Sequence, residues 1–198
     1  MTAIMGLKEG NRIFIAADGR VSAENAALNC YGCEDDCKIK RVKGSPDCLI
    51  AFAGNANPAH FINDIDDLLD GKNDPSYNYI VRKTLPKIYS VIERKGVVTH
   101  EKNRCNIGCN LILATKTHLY TISQFGIVTE QTKVAFSGFG FLASYATYMV
   151  LKSKHLSPTE LIRQCIQESI KRCDYVGYPI VIMENRKTAK TIIINEDK

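Results

Sequence analysis

Thr2 is the residue around which chemistry can be built in this chain. A threonine that stands first in a mature chain carries its own base. An α-amine has an ordinary pKa of about 7.7–8.0, so it can be neutral near physiological pH and accept the hydroxyl proton. Pairing a threonine hydroxyl with the N-terminal amine is one established way to activate a nucleophile. Met1 has to be removed first, and threonine is small enough at the second position for ordinary methionine removal. A Met-Thr start means little alone; its weight comes from the elements around it.

The first eighteen residues read as a hairpin. Ala3, Met5 and Leu7 alternate with Thr2, Ile4 and Gly6, and Lys8-Glu9-Gly10-Asn11 supplies a turn in which Gly10 or Asn11 takes positive φ. Arg12 to Ala17 is a mostly apolar run that ends at Asp18, as suits a strand buried on both faces. The pattern weaves the chain end, with its hydroxyl, into a core strand, whereas chain ends are usually frayed.

Further along, Lys38 to Val42 alternates as a strand, Gly44 to Asp47 is a turn, and Cys48 to Gly54 is a buried strand ending at small residues. Pro58 is expected to open a helix with Phe61, Ile62, Ile65, Leu68 and Leu69 on one face. Asn78 to Lys95 is a second helical segment, kinked or restarted at Pro86. Gly96 to Gly108 reads as a polar loop, Asn110–Thr115 and His118–Ser123 as a hairpin, and Ile127–Glu130 and Val134–Phe136 as short strands. A helix from about Phe141 to Lys154 follows. Ser157-Pro158-Thr159-Glu160 is a capping box that starts another, ending near Cys173. Ile180–Met183 and Thr188–Ile194 are paired strands. Segregated runs of strands and helices predict an α+β layered fold, and 198 residues without a linker predict one domain over 1–198.

Composition narrows the function. The chain is 45% hydrophobic and 24% charged, with a net charge of +5 scattered along its length. Arg12, Arg20, Lys38, Lys40, Arg41 and Lys43 form the densest basic region, without the interleaved aromatics of a nucleic-acid binder. No apolar stretch reaches membrane-spanning length, and Lys8, Glu9 and Arg12 interrupt any secretory start, so a cytoplasmic protein with no membrane or nucleic-acid partner is expected. The eight cysteines are then reduced thiols. Cys30-x2-Cys33-x3-Cys37, with Cys48 beyond, lacks a second CxxC or a nearby histidine and fits zinc or iron–sulfur poorly. We expect no metal and no cofactor, and free thiols near the substrate pocket. His60, His100, His118 and His155 form no ligand pattern.

Four stretches, taken in order, carry a resemblance: Thr2-Ala3-Ile4-Met5-Gly6, Ile15-Ala16-Ala17-Asp18-Gly19-Arg20, Lys38-Ile39-Lys40-Arg41-Val42 and Phe52-Ala53-Gly54. Together they resemble a proteasome β-type subunit, closest in flavour to the bacterial HslV-type peptidases, and the helical pairs fall where that family has them. The resemblance implies an N-terminal-nucleophile hydrolase with a four-layer αββα sandwich. It implies that Thr2 is the nucleophile, Asp18 the carboxylate closing the second strand, Lys38 the lysine beginning the next, Gly54 the backbone oxyanion donor and Asp174 a supporting carboxylate. Ser22, Phe52 and Ala56 fall where the family binds peptide backbone and shapes its first specificity pocket.

The activity implied is hydrolysis of peptide bonds by a threonine-type endopeptidase acting on peptides or unfolded protein inside a homo-oligomeric ring. The helix after Pro58 and the Asn78–Lys95 segment are expected to meet neighbouring subunits. Since the chain has no P-loop pattern, any ATP use belongs to a partner unfoldase. Two departures stand out: Ser137 precedes the position of the family's Gly-Ser-Gly serine, and Gly177 stands where the family often carries a serine after its late aspartate. These leave two alternatives, a non-catalytic shell subunit and an amidase of the same fold that takes a small amide.

Overall fold

The computed structural model describes residues 2–23, 26–29, 38–97, 99–101 and 104–196. Strands β1 (Ile4–Glu9) and β2 (Arg12–Asp18) form the expected hairpin, with Ile4 opposite Ala17 and Glu9 opposite Arg12. Gly10 takes a φ of 59° at the first position of the two-residue turn, the conformation glycine permits. A short ribbon follows, β3 (Arg20–Ala23) with β4 (Ala26–Asn29). β5 (Ile39–Val42) then pairs with the long β6 (Ser45–Gly54).

Helix α1 (Ala56–Asn63) is shorter than its apolar spacing suggests. Asp64, Asp66, Asp67 and Asp70 would put negative charge on the negative end of a longer helix. The chain turns instead, with Asp67 and Asp70 at φ of 52° and 50°, and Leu68 and Leu69 reach the core from that turn. α2 (Tyr77–Tyr79) passes through a π turn (Ile80–Thr84) into α3 (Leu85–Arg94). Pro86 lacks an N–H, and the Leu85 N–H reaches back five residues to the Ile80 carbonyl.

The loop expected over Gly96–Gly108 contains a ribbon, β7 (Thr99–Glu101) with β8 (Arg104–Asn106). β9 (Cys109–Ala114), β10 (Leu119–Ile122), β11 (Val128–Gln131) and β12 (Val134–Ser137) follow, then α4 (Phe141–Leu151) and α5 (Pro158–Arg172). Ser157 caps α5 by accepting from the Glu160 N–H at 3.2 Å. β13 (Ile180–Glu184) and β14 (Ile192–Ile194) close the chain. β14 is shorter than the expected Thr188–Ile194 strand. The Arg41 guanidinium takes the carbonyls of Arg186 and Ala189, and Ala189 N–H closes a turn on Arg186, so this backbone is engaged before the ladder begins.

One sheet has the order β12-β1-β2-β13-β14 and the other β11-β10-β9-β6-β5. Ile4, Ile13, Ile15, Leu49, Ala51, Ile112 and Leu119 fill the space between them. The second sheet's other face packs on α1 and α3 through Ile50, Leu113, Ile62, Ile88 and Ile92. The first sheet's outer face packs on α4 and α5 through Met5, Leu7, Phe14, Tyr148, Ile162 and Ile166. The layers are therefore α, β, β, α. Among the described residues no helix is long and apolar enough to cross a membrane.

α3 turns Leu85, Ile88 and Ile92 inward and shows Glu93 and Arg94 to solvent. α4 is apolar all round, yet only Ser144, Tyr148 and Leu151 are buried. A helix of that composition ordinarily lies inside a structure.

Gly6 lies where the two sheets come close: a Cβ there would stand 3.0 Å from Leu119 Cδ1 and 3.3 Å from Ile112 Cγ2. Gly6→Val is expected to lower stability by ~1–3 kcal/mol through overpacking. The denaturant midpoint should fall with the slope unchanged.

Candidate active site

The hairpin that fixes Thr2 also fixes Asp18. Ala3 N–H donates to Asp18 Oδ1 at 2.9 Å, and Asp18 N–H donates to the Ala3 carbonyl at 3.1 Å. The Asp18 carboxylate is 1% exposed. Its Oδ1 also accepts from Lys38 Nζ at 2.7 Å, and its Oδ2 from the backbone N–H groups of Arg20 at 3.3 Å and Gly177 at 3.2 Å. Because Lys38 and Ala3 share one oxygen, the ammonium lies within two hydrogen-bond lengths of the amide that follows Thr2. The Lys38 side chain is only 10% exposed. Phe52 N–H donates to the Lys38 carbonyl at 3.0 Å, locking the start of β5 to β6.

β6 ends at Gly54, whose φ is 131°. A Cβ there would stand 2.8 Å from the Gly108 carbonyl oxygen and 2.9 Å from Cys109 Cα, so only glycine fits. Thr2, Ala53 and Gly54 line one cleft of about 1410 Å³, whose far walls come from β10, β11, β12 and the start of α4. Thr2 is 7% exposed at its edge.

A network not foreseen from the sequence holds Thr2 from below. Its carbonyl accepts from the Gly140 N–H at 3.2 Å. Gly138 has a φ of 87°, and a Cβ there would overlap the Thr2 carbonyl oxygen and stand 2.7 Å from its carbon. Gly140 in turn has Ala3 Cβ and Ser169 Cβ 2.8 Å and 3.0 Å from where its own Cβ would be. The buried hydroxyls of Ser144 and Ser169 meet at 2.6 Å, and Ser169 Oγ donates to the Gly140 carbonyl at 2.8 Å. Nothing in the local pattern of α4 or α5 marks either serine. Ser137 pairs with Ile4, the last pair of that ladder, and lines the cleft; beyond it Gly138 faces Thr2, and Phe139 lines the same cleft.

The other expected residues are placed as follows. The Asp174 side chain is exposed, while its backbone carbonyl accepts from the Arg20 guanidinium. Arg20 thereby ties the 174–177 segment to the end of β2, a role signalled only by its place in Asp18-Gly19-Arg20. The Phe52 ring is buried in the outer core beneath α1, and Ala56 is exposed at the first residue of α1. Ser22 lies in β3, opposite Ala27. The expected thiol cluster of Cys30, Cys33 and Cys37 lies outside the described residues. Among the described residues no three His, Cys, Asp or Glu side chains gather as a metal-binding group. Burial pushes the thiols of Cys48, Cys109 and Cys165 up to about 12, so none is a thiolate nucleophile at neutral pH.

The arrangement sets a buried ammonium–carboxylate pair against the amide that follows Thr2, a residue that lines the cleft. Removing one member of such a pair strands the other in low dielectric. Asp18→Asn is therefore expected to cost ~3–5 kcal/mol of stability. The Asp18→Asn/Lys38→Met double variant should lose less than the sum of the single losses, as a double-mutant cycle of unfolding free energies will read.

No protein-family model matches the chain. It is 23% identical over 187 residues to the ATP-dependent protease subunit HslV of Caldicellulosiruptor saccharolyticus, covering 92% of this chain and 97% of that one. Among solved structures it superimposes on Thiobacillus denitrificans BPH in complex with epoxomicin with a TM-score of 0.71 at 15% identity, over 92% of this chain and 97% of that one. Eukaryotic HslV from Trypanosoma brucei gives 0.67 at 14% identity, over 92% and 98% of the two chains. Anbu, the ancestral β-subunit from Yersinia bercovieri, gives 0.73 at 14% identity, over 100% and 88%. The layer order and these whole-length likenesses give the chain the αββα fold of the N-terminal-nucleophile hydrolases, and they bear out its resemblance to the proteasome β-type and HslV-type subunits.

Proposed function

We propose that this chain is a threonine-type endopeptidase subunit of a self-compartmentalising, proteasome-like protease, with Thr2 as the nucleophile once Met1 is removed. The observation that carries this reading is the single Asp18 oxygen shared by Lys38 and the amide following Thr2, beside a cleft that Thr2 and Gly54 both line.

With Met1 gone, the Thr2 nitrogen is an amine instead of an amide. It takes the proton from Oγ as Oγ bonds to the carbonyl carbon of the scissile peptide. Lys38, kept charged by Asp18, favours the neutral amine and the developing alkoxide. The Gly54 N–H donates to the carbonyl oxygen as it becomes an oxyanion; such a donor contributes about 10²–10³ in rate. Collapse breaks the C–N bond, the protonated amine hands its proton to the leaving nitrogen, and an ester remains on Oγ. Water, deprotonated by the same amine, hydrolyses the ester and restores the hydroxyl. Asp174 supports the site from the 174–177 segment, and Ser22, Phe52 and Ala56 shape backbone binding and the first specificity pocket. No step draws on a metal or a cofactor.

A cleft of about 1410 Å³ exceeds the roughly 300–1,000 Å³ of small-molecule sites, which favours a peptide over a small amide. One feature favours the shell-subunit reading: neither Gly138, which faces Thr2, nor Gly177 carries a hydroxyl. Removal of Met1, read by intact mass, followed by peptide hydrolysis decides between them. Met-free protein is expected to cleave peptides, with the rate rising with pH as the amine becomes neutral, at a midpoint below its ordinary range of about 7.7–8.0 because Lys38 favours the neutral form. Thr2→Ala and Lys38→Ala should abolish cleavage, Asp18→Ala should be milder, and Thr2→Ser should retain part of it. Equal rates for wild type and Thr2→Ala would put the nucleophile elsewhere. No cleavage by assembled, Met-free wild type with an ATPase partner would leave the shell subunit.

The same reading makes the protein a cytoplasmic homo-oligomeric ring with Thr2 facing an inner chamber, fed with unfolded protein by a separate ATPase. Ala146, Met149 and Val150 form an exposed apolar stripe along α4 that suits a subunit contact. Light scattering is expected to give a multiple of 22.1 kDa, and Val150→Glu a smaller species. A stable wild-type monomer at micromolar concentration would overturn the ring.

A further inference from the structure

Large exposed apolar side chains gather on one wall of the cleft. Ile127, Phe139 and Leu142 are 62%, 63% and 66% exposed, and Phe141 and Tyr145 stand beside them. Scattered singly, such residues need no explanation, but a cluster around one concavity marks a binding surface. Phe139 is held in place by its neighbours. Gly138 is pressed against the Thr2 carbonyl and Gly140 against Ala3, so the backbone carrying Phe139 is fixed to the backbone carrying the hydroxyl. Neither Phe52 nor Ala56, two of the residues named for backbone binding or the first specificity pocket, is among the described residues that line this cleft.

The charges say what the cleft takes. Among the described residues lining it, Arg172 alone is charged, and its Nε already donates to Glu168 at 2.8 Å. No carboxylate or free ammonium on these walls is set to hold an ionic group. We infer that the Phe139 wall is a second substrate subsite, which receives an uncharged apolar segment of the peptide beside the scissile bond, with Phe139 as its specificity-determining residue. The inference rests on the peptidase reading for the identity of its occupant. Continuity of this wall with Thr2 and Gly54 in one cleft favours a substrate segment over any other apolar partner. The bulk of the occupant matters, since one methylene in an apolar pocket is worth about 10–200-fold in discrimination.

Cys173 lines the same cleft at intermediate exposure and reports its occupancy without turnover. In the Thr2→Ala protein, where no cleavage consumes the ligand, a capped leucine- and phenylalanine-rich hexapeptide is expected to slow alkylation of Cys173 severalfold, read by peptide-mapping mass spectrometry. A capped glutamate-rich hexapeptide should not. Phe139→Ser, and Leu142→Ser on the same wall, should remove that protection; both side chains are largely exposed, so neither change disturbs packing. In active Met-free protein, Phe139→Ser should lower the ratio of kcat/KM for apolar over acidic peptides about tenfold or more. Equal protection by both hexapeptides, or protection that survives Phe139→Ser, overturns the subsite. Cys173 shielded without peptide and freed only when the assembly dissociates also overturns it, because a second copy then fills the cleft. Selective, Phe139-dependent protection in a protein that hydrolyses nothing upholds the apolar subsite while the peptidase reading falls.

Discussion

The structure depends on one buried carboxylate. A charge inside a protein costs several kcal/mol in lost hydration unless it is paired and its lone pairs are occupied. Asp18 meets that condition with four donors, from Ala3, Lys38, Arg20 and Gly177. They come from the chain start, the head of β5, the segment after β2 and the loop before β13. Satisfying one side chain thus gathers the adjoining Arg20 and three separate pieces of chain at one point, and that point adjoins Thr2. The energetic demand of the buried charge and the geometric demand of the candidate chemistry are met by the same contacts.

Around that anchor, backbones approach more closely than side chains allow. Gly138 faces Thr2, Gly140 faces Ala3 and Ser169, and Gly54 faces Gly108 and Cys109. Each approach removes a degree of freedom from the cleft edge. The Ser144–Ser169 pair continues the constraint outward, since its hydroxyls bond to each other and to the Gly140 and Cys165 carbonyls. Any displacement of α4 relative to α5 therefore reaches the turn beneath Thr2. A nucleophile held this way needs little reorganisation when a substrate arrives, which is what positional catalysis requires.

The apolar surface is divided between two helices in opposite ways. α3 is strongly one-sided and spends its apolar face on the sheet beneath it. α4 is apolar on every side, so one part of it packs inward while the rest is left for the cleft and for the outer stripe. The apolar side chains of α3 at Leu85, Ile88 and Ile92 are spaced so that they turn to one side.

What the sequence determined by itself is what short-range chemistry encodes. The Gly10 turn, the alternation of β1, the apolar run ending at Asp18, the strand after Lys38 and the Ser157 cap follow from residues within a few positions of one another. The family motifs extended that reading to Thr2, Asp18, Lys38 and Gly54. Local pattern failed where a competing term was hidden, as in the aspartates that end α1 and the Arg41 side chain that engages the carbonyls ahead of β14. Only the tertiary structure decided that the Gly177 N–H, 159 residues away, completes the Asp18 shell, that the Asp174 side chain is exposed, and that Gly138 is pressed against Thr2. These are contacts between segments that share no local pattern. They exist because two sheets, each needing to bury a face, can stack over one core only in a register that also satisfies the buried charge.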